Sequence, residues 1–272
     1  QYWWECTASD GSTATSATQT FEYTDPRFDW QVLSGERVDL YYYGAAKRGQ
    51  ALAEAGEATI RGLEQDTGVP AGGRVRVYAY ESARDMSLAL TRRSAAYDDR
   101  VLTLGVAVDD HTLLLLGTHR DAQEILAHEL SHIIVGAATA NPFTGLPRWL
   151  DEGLAMYAEG ALPDANRQAL EQAVKRDQLI SLRSMTSYSG QAEDVDLFYG
   201  QAYSVVHYVL EEFGRGKMRT LLGVFAEGVR QDDALREAFG FGLDRLEDLW
   251  RGSLGLEPRP RAQATTTPAG RP

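Results

Sequence analysis

The order of hydrophobic patterns along the chain predicts an α+β domain of two lobes. Strand-like alternation, interrupted by helical stretches, dominates up to residue 116, and helical spacing dominates from residue 121 onward. Strands first and helices afterwards is the mark of a sheet lobe followed by a helical lobe. At 272 residues the chain holds one good core and a small accessory unit, since single cores rarely grow past about 250–300 residues.

Taken in order, residues 1 to about 35 are rich in aromatics, Thr and Ser, and Thr20-Phe21-Glu22-Tyr23-Thr24 alternates like a half-buried strand. We read residues 1–36 as the C-terminal part of a β-rich unit. From Gly44 to Asp66 the positions Ala46, Leu52, Ala53, Ala55, Ile60 and Leu63 recur at helical spacing, and Gly68 and Pro70 supply a stop. A strand over Arg74–Tyr80 follows, then a short helix over Ala83–Arg93. Next come two strand-like runs, Val101–Val108 and Thr112–Leu116, turned at Asp109-Asp110-His111. The second run is expected at a sheet edge, open to an extended substrate.

Helices are expected from Asp121 to about Ala138 with Asp121 as N-cap, and over Arg148–Glu159, Asp164–Arg176, Asp196–Phe213, Lys217–Phe225 and Ala234–Trp250. The main domain is assigned to residues 37–255. Residues 256–272, with Glu257-Pro258-Arg259-Pro260 and Thr265-Thr266-Thr267-Pro268, carry too little apolar content to pack and read as a disordered Pro/Thr-rich tail or linker.

Composition excludes several classes. A net charge of −12 argues against nucleic acid and anionic membranes as partners, because both are bound through basic patches. Cys6 is the only cysteine, so neither an intrachain disulfide nor a thiolate metal site can be built. The longest strongly apolar window, Ile125–Ala140, is shorter than the roughly 20 residues a spanning helix needs. The chain starts at Gln1 without a leader, which reads as a processed product or excised piece, with any tether outside these residues.

The chemistry is carried by His128-Glu129-Leu130-Ser131-His132. Spacing i, i+4 stacks two imidazoles one helical turn apart on one face, where a single ion reaches both. Glu129 lies one residue around the helix, beside such an ion without ligating it. Two of the five histidines fall in this motif, within a helix otherwise made of Ile125, Leu126, Leu130, Ile133, Ile134 and Val135. Buried polar groups are costly unless partnered, and a metal relieves that cost.

A catalytic zinc takes three protein ligands. Nineteen residues lie between His132 and Glu152, enough for the helix to end near Gly136, cross Asn141–Pro147 and return on a second helix that presents Glu152. Asp151, its neighbour, is a rival ligand, an orienting group for an imidazole, or a carboxylate favoured by the helix N-terminus. Glu159 is another orienting candidate or a surface residue. Trp149 and Met156 fit an apolar helix face, and His111, His119 and His207 receive no role.

HELSH followed by Trp149-Leu150-Asp151-Glu152-Gly153-Leu154-Ala155 resembles the "HExxH … WLxEG" signature of gluzincin zinc metallopeptidases, in particular the peptidase MA-like family, and more distantly the aminopeptidase-N and thermolysin types. The resemblance runs from about Phe21 to Gly255, with Asn141-Pro142 and Leu182 among its lesser matches. It implies a two-lobed catalytic domain, with a mixed sheet and active-site helix followed by a helical lobe. It also implies Zn2+ on His128, His132 and Glu152, with Glu129 as general base for hydrolysis of peptide bonds in a peptide or protein substrate. The interval to Glu152 agrees with the thermolysin type and is one residue longer than in the aminopeptidase-N type.

The aminopeptidase-N family carries G-x-M-E-N upstream of HExxH, where this chain has Gly105-Val106-Ala107-Val108-Asp109. The amine-binding Glu is absent, with Asp109 or Asp110 as the substitutes on offer, so an endopeptidase is expected over an aminopeptidase. Two alternatives stand beside it: a non-catalytic zinc-containing binding or sensor domain, and a hydrolase of a non-peptide amide. The segment Tyr199–Tyr208, closing at Phe213-Gly214, resembles the aminopeptidase-N helix that supplies a transition-state tyrosine. That role falls on Tyr199, with Tyr203 one turn later as rival and Tyr208 as a packing residue. The family, the β-rich start and the Pro/Thr tail together imply an extracytoplasmic protein.

Overall fold

The computed structural model describes residues 2–19, 24–70, 72–90, 104–187 and 194–260. Four stretches given expectations above, 20–23, 91–93, 101–103 and 261–272, lie outside the described residues. The chain divides into two compact units, 1–30 and 31–272. In the first, β1 (Glu5–Thr7) and β2 (Thr13–Thr15) form an antiparallel hairpin, with Glu5 opposite Thr15.

The second unit begins with β3 (Gln31–Ser34), which pairs antiparallel with β4 (Val38–Tyr42) in a five-stranded sheet. β3 is short and largely exposed, so its alternation gives little signal in the sequence. Helix α1 (Ala46–Thr67) then carries the chain to β5 (Val75–Tyr80), parallel to β4. Leu52, Ile60 and Leu63 form its buried stripe, and Gly68 in the left-handed region (φ 68°) closes it by donating its N–H to the Glu64 carbonyl at 2.9 Å. Helix α2 (Ala83–Ala89) is capped by the Ser82 hydroxyl, which accepts from the Asp85 N–H.

Strands β6 (Gly105–Asp109) and β7 (Thr112–Leu116) complete the sheet in the order β3-β4-β5-β7-β6. Thr112–Leu116, expected at an edge, is instead interior: β7 lies between β5 and β6, and among the described residues the edge strands are β3 and β6. The physical reason is in the residues themselves. A run of four leucines buried along its whole length is the pattern of a central strand, whereas Gly105–Asp109 is half-exposed to exposed.

Helix α3 (Ala122–Thr139) leaves the sheet, and α4 (Arg148–Ala158), α5 (Asp164–Arg176), α6 (Val195–Ala226), α7 (Gln231–Phe239) and α8 (Leu243–Ser253) follow. Asp121 stands at the N-cap position of α3 but its side chain accepts no capping bond; it pairs with Arg120 at 3.0 Å. Gly214 (φ 76°) breaks α6 where the expected helices Asp196–Phe213 and Lys217–Phe225 meet. The single helix expected over Ala234–Trp250 is in fact two, because Gly240 (φ 86°) caps α7 in a left-handed turn.

Two hydrophobic cores result. One joins Val38, Leu40, Val77, Leu113 and Leu115 of the sheet to Ile60 of α1 and Leu126, Leu130 and Ile133 of α3. The other joins Trp149, Leu150 and Leu154 of α4 to Val205, Val209, Leu221 and Trp250 of the later helices. Helix α3 closes the first core, its Val135 reaches the second, and α4 starts the second. The α3–α4 pair therefore runs along the seam between lobes, as an α+β protein of this order requires. No helix among the described residues is long and apolar enough to cross a membrane.

Candidate metal centre

Burial of Leu126, Leu130, Ile133 and Ile134 fixes the rotation of α3, which leaves His128 and His132 on its opposite, half-buried side. Helix α4 is fixed in turn by Trp149, Leu150 and Leu154, which turns Glu152 inward until its side chain is only 2% exposed. Close approach of α4 to α6 depends on Gly153. A Cβ there would stand 2.5 Å from the Ala202 carbonyl oxygen and 2.5 Å from Val206 Cγ2.

Three donor atoms converge. The two Nε2 atoms of His128 and His132 are 3.2 Å apart, and Glu152 Oε2 lies 3.4 Å from the first and 3.5 Å from the second. Each imidazole is held from behind: His128 Nδ1 is 2.7 Å from Glu159 Oε1, and His132 Nδ1 is 3.0 Å from Asp151 Oδ1. With Nδ1–H donated to a carboxylate, the free lone pair of each neutral ring sits on Nε2 and faces the other ring and the Glu152 carboxylate. Three electron-rich atoms so placed repel one another unless a cation, proton or metal, lies among them. Tetrahedral coordination at about 2.0–2.1 Å requires donor atoms about 3.3–3.4 Å apart, and the observed triangle matches that edge length.

Electrostatics of the metal-free site agree. Burial alone would lower the imidazole pKa values, but hydrogen bonds outweigh it: Glu152 and Glu159 push His128 up to about 9, and Asp151 and Glu152 push His132 up to about 10. Burial likewise opposes ionisation of Glu152, yet His128, His132 and Arg148 hold its carboxyl well below the usual range. The site therefore keeps its carboxylate ionised and binds positive charge.

Glu152, not its neighbour Asp151, points into the triangle; Asp151 lies behind His132 and orients it. Glu159 orients His128 in the same way. Glu129 joins His128, His132, Glu152 and Tyr199 in lining a cleft of 660 Å³. Gly105 of the edge strand lies against it, since a Cβ there would come within 3.1 Å of Glu129 Cγ and 2.7 Å of Ile125 Cγ2. The Tyr199 ring is 6.3 Å from the His128 ring. Tyr203 instead stacks with His207 at 5.8 Å and meets Tyr157 at a tilt at 6.2 Å, and it does not line the cleft. Tyr208 packs edge-on against Phe213. Asp109 is exposed, its carboxylate accepting from the His111 N–H at 2.8 Å.

A model of the peptidase MA superfamily matches residues 54–255, which run from within α1 past the end of α8 and contain the whole triangle. The chain belongs to the peptidase MA superfamily. No curated protein matches it. Superfamily membership points to peptidase activity on peptide or protein substrates, and His128, His132 and Glu152 form its candidate metal site.

Two residues of the site, Arg148 and Asn141, carry no individual role in the sequence analysis. Arg148 donates to Asp151 Oδ2 at 2.9 Å and to Glu152 Oε1, and it lines the cleft. Asn141 pins the α3–α4 loop: its amide donates to the carbonyls of Thr139, Thr144 and Phe225 and accepts from the N–H groups of Phe143 and Thr144. The spacing of Arg148 to two acidic residues was a readable signal; the reach of Asn141 to Phe225, 84 positions away, was not.

Proposed function

We propose that this chain is a zinc-dependent endopeptidase with His128, His132 and Glu152 as ligands, Glu129 as general base and Tyr199 as oxyanion donor. The observation that carries the reading is the triangle of two imidazole nitrogens and one carboxylate oxygen, open on one side to a cleft that Glu129 also lines. Two nitrogens and one oxygen with an open fourth position suit a catalytic zinc rather than a closed structural one. When bound, zinc supplies Lewis-acid chemistry, polarising a carbonyl oxygen and acidifying water.

The chain's own residues supply the rest. Glu129 accepts a proton from the attacking water as its oxygen bonds to the amide carbon, and returns that proton to the nitrogen as the C–N bond breaks. The products are a carboxylic acid and an amine. Burial, reinforced by the Glu152 charge, pushes the Tyr199 hydroxyl up to about 12. It stays protonated at neutral pH and can donate to the oxyanion, a contribution of about 3–4 kcal/mol in comparable sites. Glu159 and Asp151 keep both imidazoles oriented throughout.

Extended substrate is expected to pair with the edge strand β6, which passes beside Glu129 at Gly105. Among the described residues lining the cleft, the acidic ones are Glu129, Asp151 and Glu152, all of which already have a place in this scheme. None remains to hold a free amino terminus, which supports endopeptidase over aminopeptidase action. The test is cleavage of a diverse peptide library by the zinc-loaded chain, with blocked and unblocked members. Internal cleavage that is independent of blocking, and lost in a Glu129→Gln variant that still binds zinc, is expected. An inert wild-type chain or a fully active Gln variant would refute the proposal.

A further inference from the structure

We infer that Arg148 is a positioning residue of the metal centre, tying Asp151 to Glu152 so that a single oxygen of Glu152 faces the two imidazoles. The inference rests on the metal-site reading above. One guanidinium nitrogen donates to Asp151 Oδ2 at 2.9 Å and another to Glu152 Oε1. Asp151 Oδ1 meets His132 Nδ1 at 3.0 Å, and Glu152 Oε2 lies 3.5 Å from His132 Nε2. Arg148, Asp151, His132 and Glu152 thus form a closed circuit in which both nitrogens of one imidazole are addressed by carboxylates that share one cation.

The pairs are at i, i+3 and i, i+4, spacings that on an exposed helix contribute a few tenths of a kcal/mol. This case differs in burial and in place. Glu152 is 2% exposed and Asp151 18%, so the guanidinium reaches into a desolvated pocket. Arg148 is also the first residue of α4, where the helix dipole disfavours a cation, so helix stability does not explain it. With Oε1 engaged by Arg148, Oε2 is the oxygen presented to both Nε2 atoms. A planar fork serves two carboxylates at once in a fixed geometry, whereas a lysine ammonium is a point charge with freely rotating donors.

Zinc affinity of the full chain, measured by competition with a chromophoric chelator, and the visible spectrum of its cobalt form test this. Arg148→Met is expected to lose about 10–100-fold in zinc affinity, the usual effect of removing a group that orients a ligand. Arg148→Lys is expected to fall between it and wild type. In both, cobalt band intensity should drop as the second Glu152 oxygen joins the coordination. Arg167, half-exposed on α5 and paired with Asp164 three residues before it and Glu171 four after, provides the control: Arg167→Met should change neither reading. Wild-type affinity and cobalt spectrum in folded Arg148→Met would overturn the inference alone. Should that variant not fold, the same result in Arg148→Lys would do so. A wild-type chain that takes up no zinc would overturn the metal-site reading, and this inference with it.

Discussion

Replacing Gly153 by Ala tests whether the α4–α6 contact sets the position of Glu152. The new Cβ would stand 2.5 Å from the Ala202 carbonyl oxygen and from Val206 Cγ2, where carbon contacts normally settle at about 3.5–4.0 Å. A backbone oxygen cannot rotate aside, so α4 must retreat by a distance on the order of 1 Å. Overpacking against a fixed partner costs about 3 kcal/mol, the upper end of the usual range. Alanine returns about 1 kcal/mol of helix propensity. The net of about 2 kcal/mol lowers the melting temperature of the metal-free chain by about 4–8 °C, at about 2–4 °C per kcal/mol for a domain of this size. Metal sites tolerate about 0.2 Å in ligand distance, so zinc affinity should fall as well. Scanning calorimetry and chelator competition read the two effects. Gly223→Ala on α6, where the new Cβ meets nothing within 4 Å, should instead be neutral or stabilising. A Gly153→Ala chain that melts with wild type and binds zinc with wild-type affinity would show that the α4–α6 contact does not set the position of Glu152.

Four further outcomes are expected. Because the His128 and His132 pKa values in the folded metal-free chain are raised from 6.5 to about 9 and about 10, their contribution to stability is fully present below about pH 6.5 and is lost as pH rises through 9–10. Zinc binding at neutral pH must then displace at least one proton; calorimetry in two buffers of different ionisation enthalpy measures it, and buffer-independent heats would contradict the assignment. Glu159→Gln, which weakens the hold on His128 Nδ1, should reduce zinc affinity by about 10–100-fold, and unchanged affinity would remove Glu159 from the site. Tyr199→Phe should lower turnover by about 10²–10³-fold with zinc content and melting temperature retained. Full turnover in that variant would exclude the role, and a matching loss in Tyr203→Phe alone would move it one turn along α6.

Much of the site was legible because its signals are local. The i, i+4 histidines and the Glu after Trp149-Leu150-Asp151 need only helical geometry to be placed, and buried leucines on α3 and α4 fix the rotation of both helices. What was not legible depends on contacts between distant segments. Thr112–Leu116 was expected at the edge because it precedes α3, yet its unbroken leucine run has the composition of a central strand. Gly240 hides a helix break inside an otherwise continuous apolar periodicity. Asp121 shows the opposite failure: residue type and position were right for a cap, but the nearby Arg120 takes the carboxylate. The spacing of Arg148 to Asp151 and Glu152 is readable, but its place in the site emerges only when the fold buries Glu152 beside it.

His128, His132 and Glu152 are expected to hold one ion among them. A crystal structure of the zinc-loaded chain, with anomalous difference maps recorded on either side of the zinc absorption edge, tests it most directly. A single strong peak is expected about 2.0–2.2 Å from both Nε2 atoms and from Glu152 Oε2, with Asp151 and Glu159 still on the Nδ1 atoms. Zinc bound elsewhere, or a peak ligated by Asp151 in place of Glu152, would contradict it.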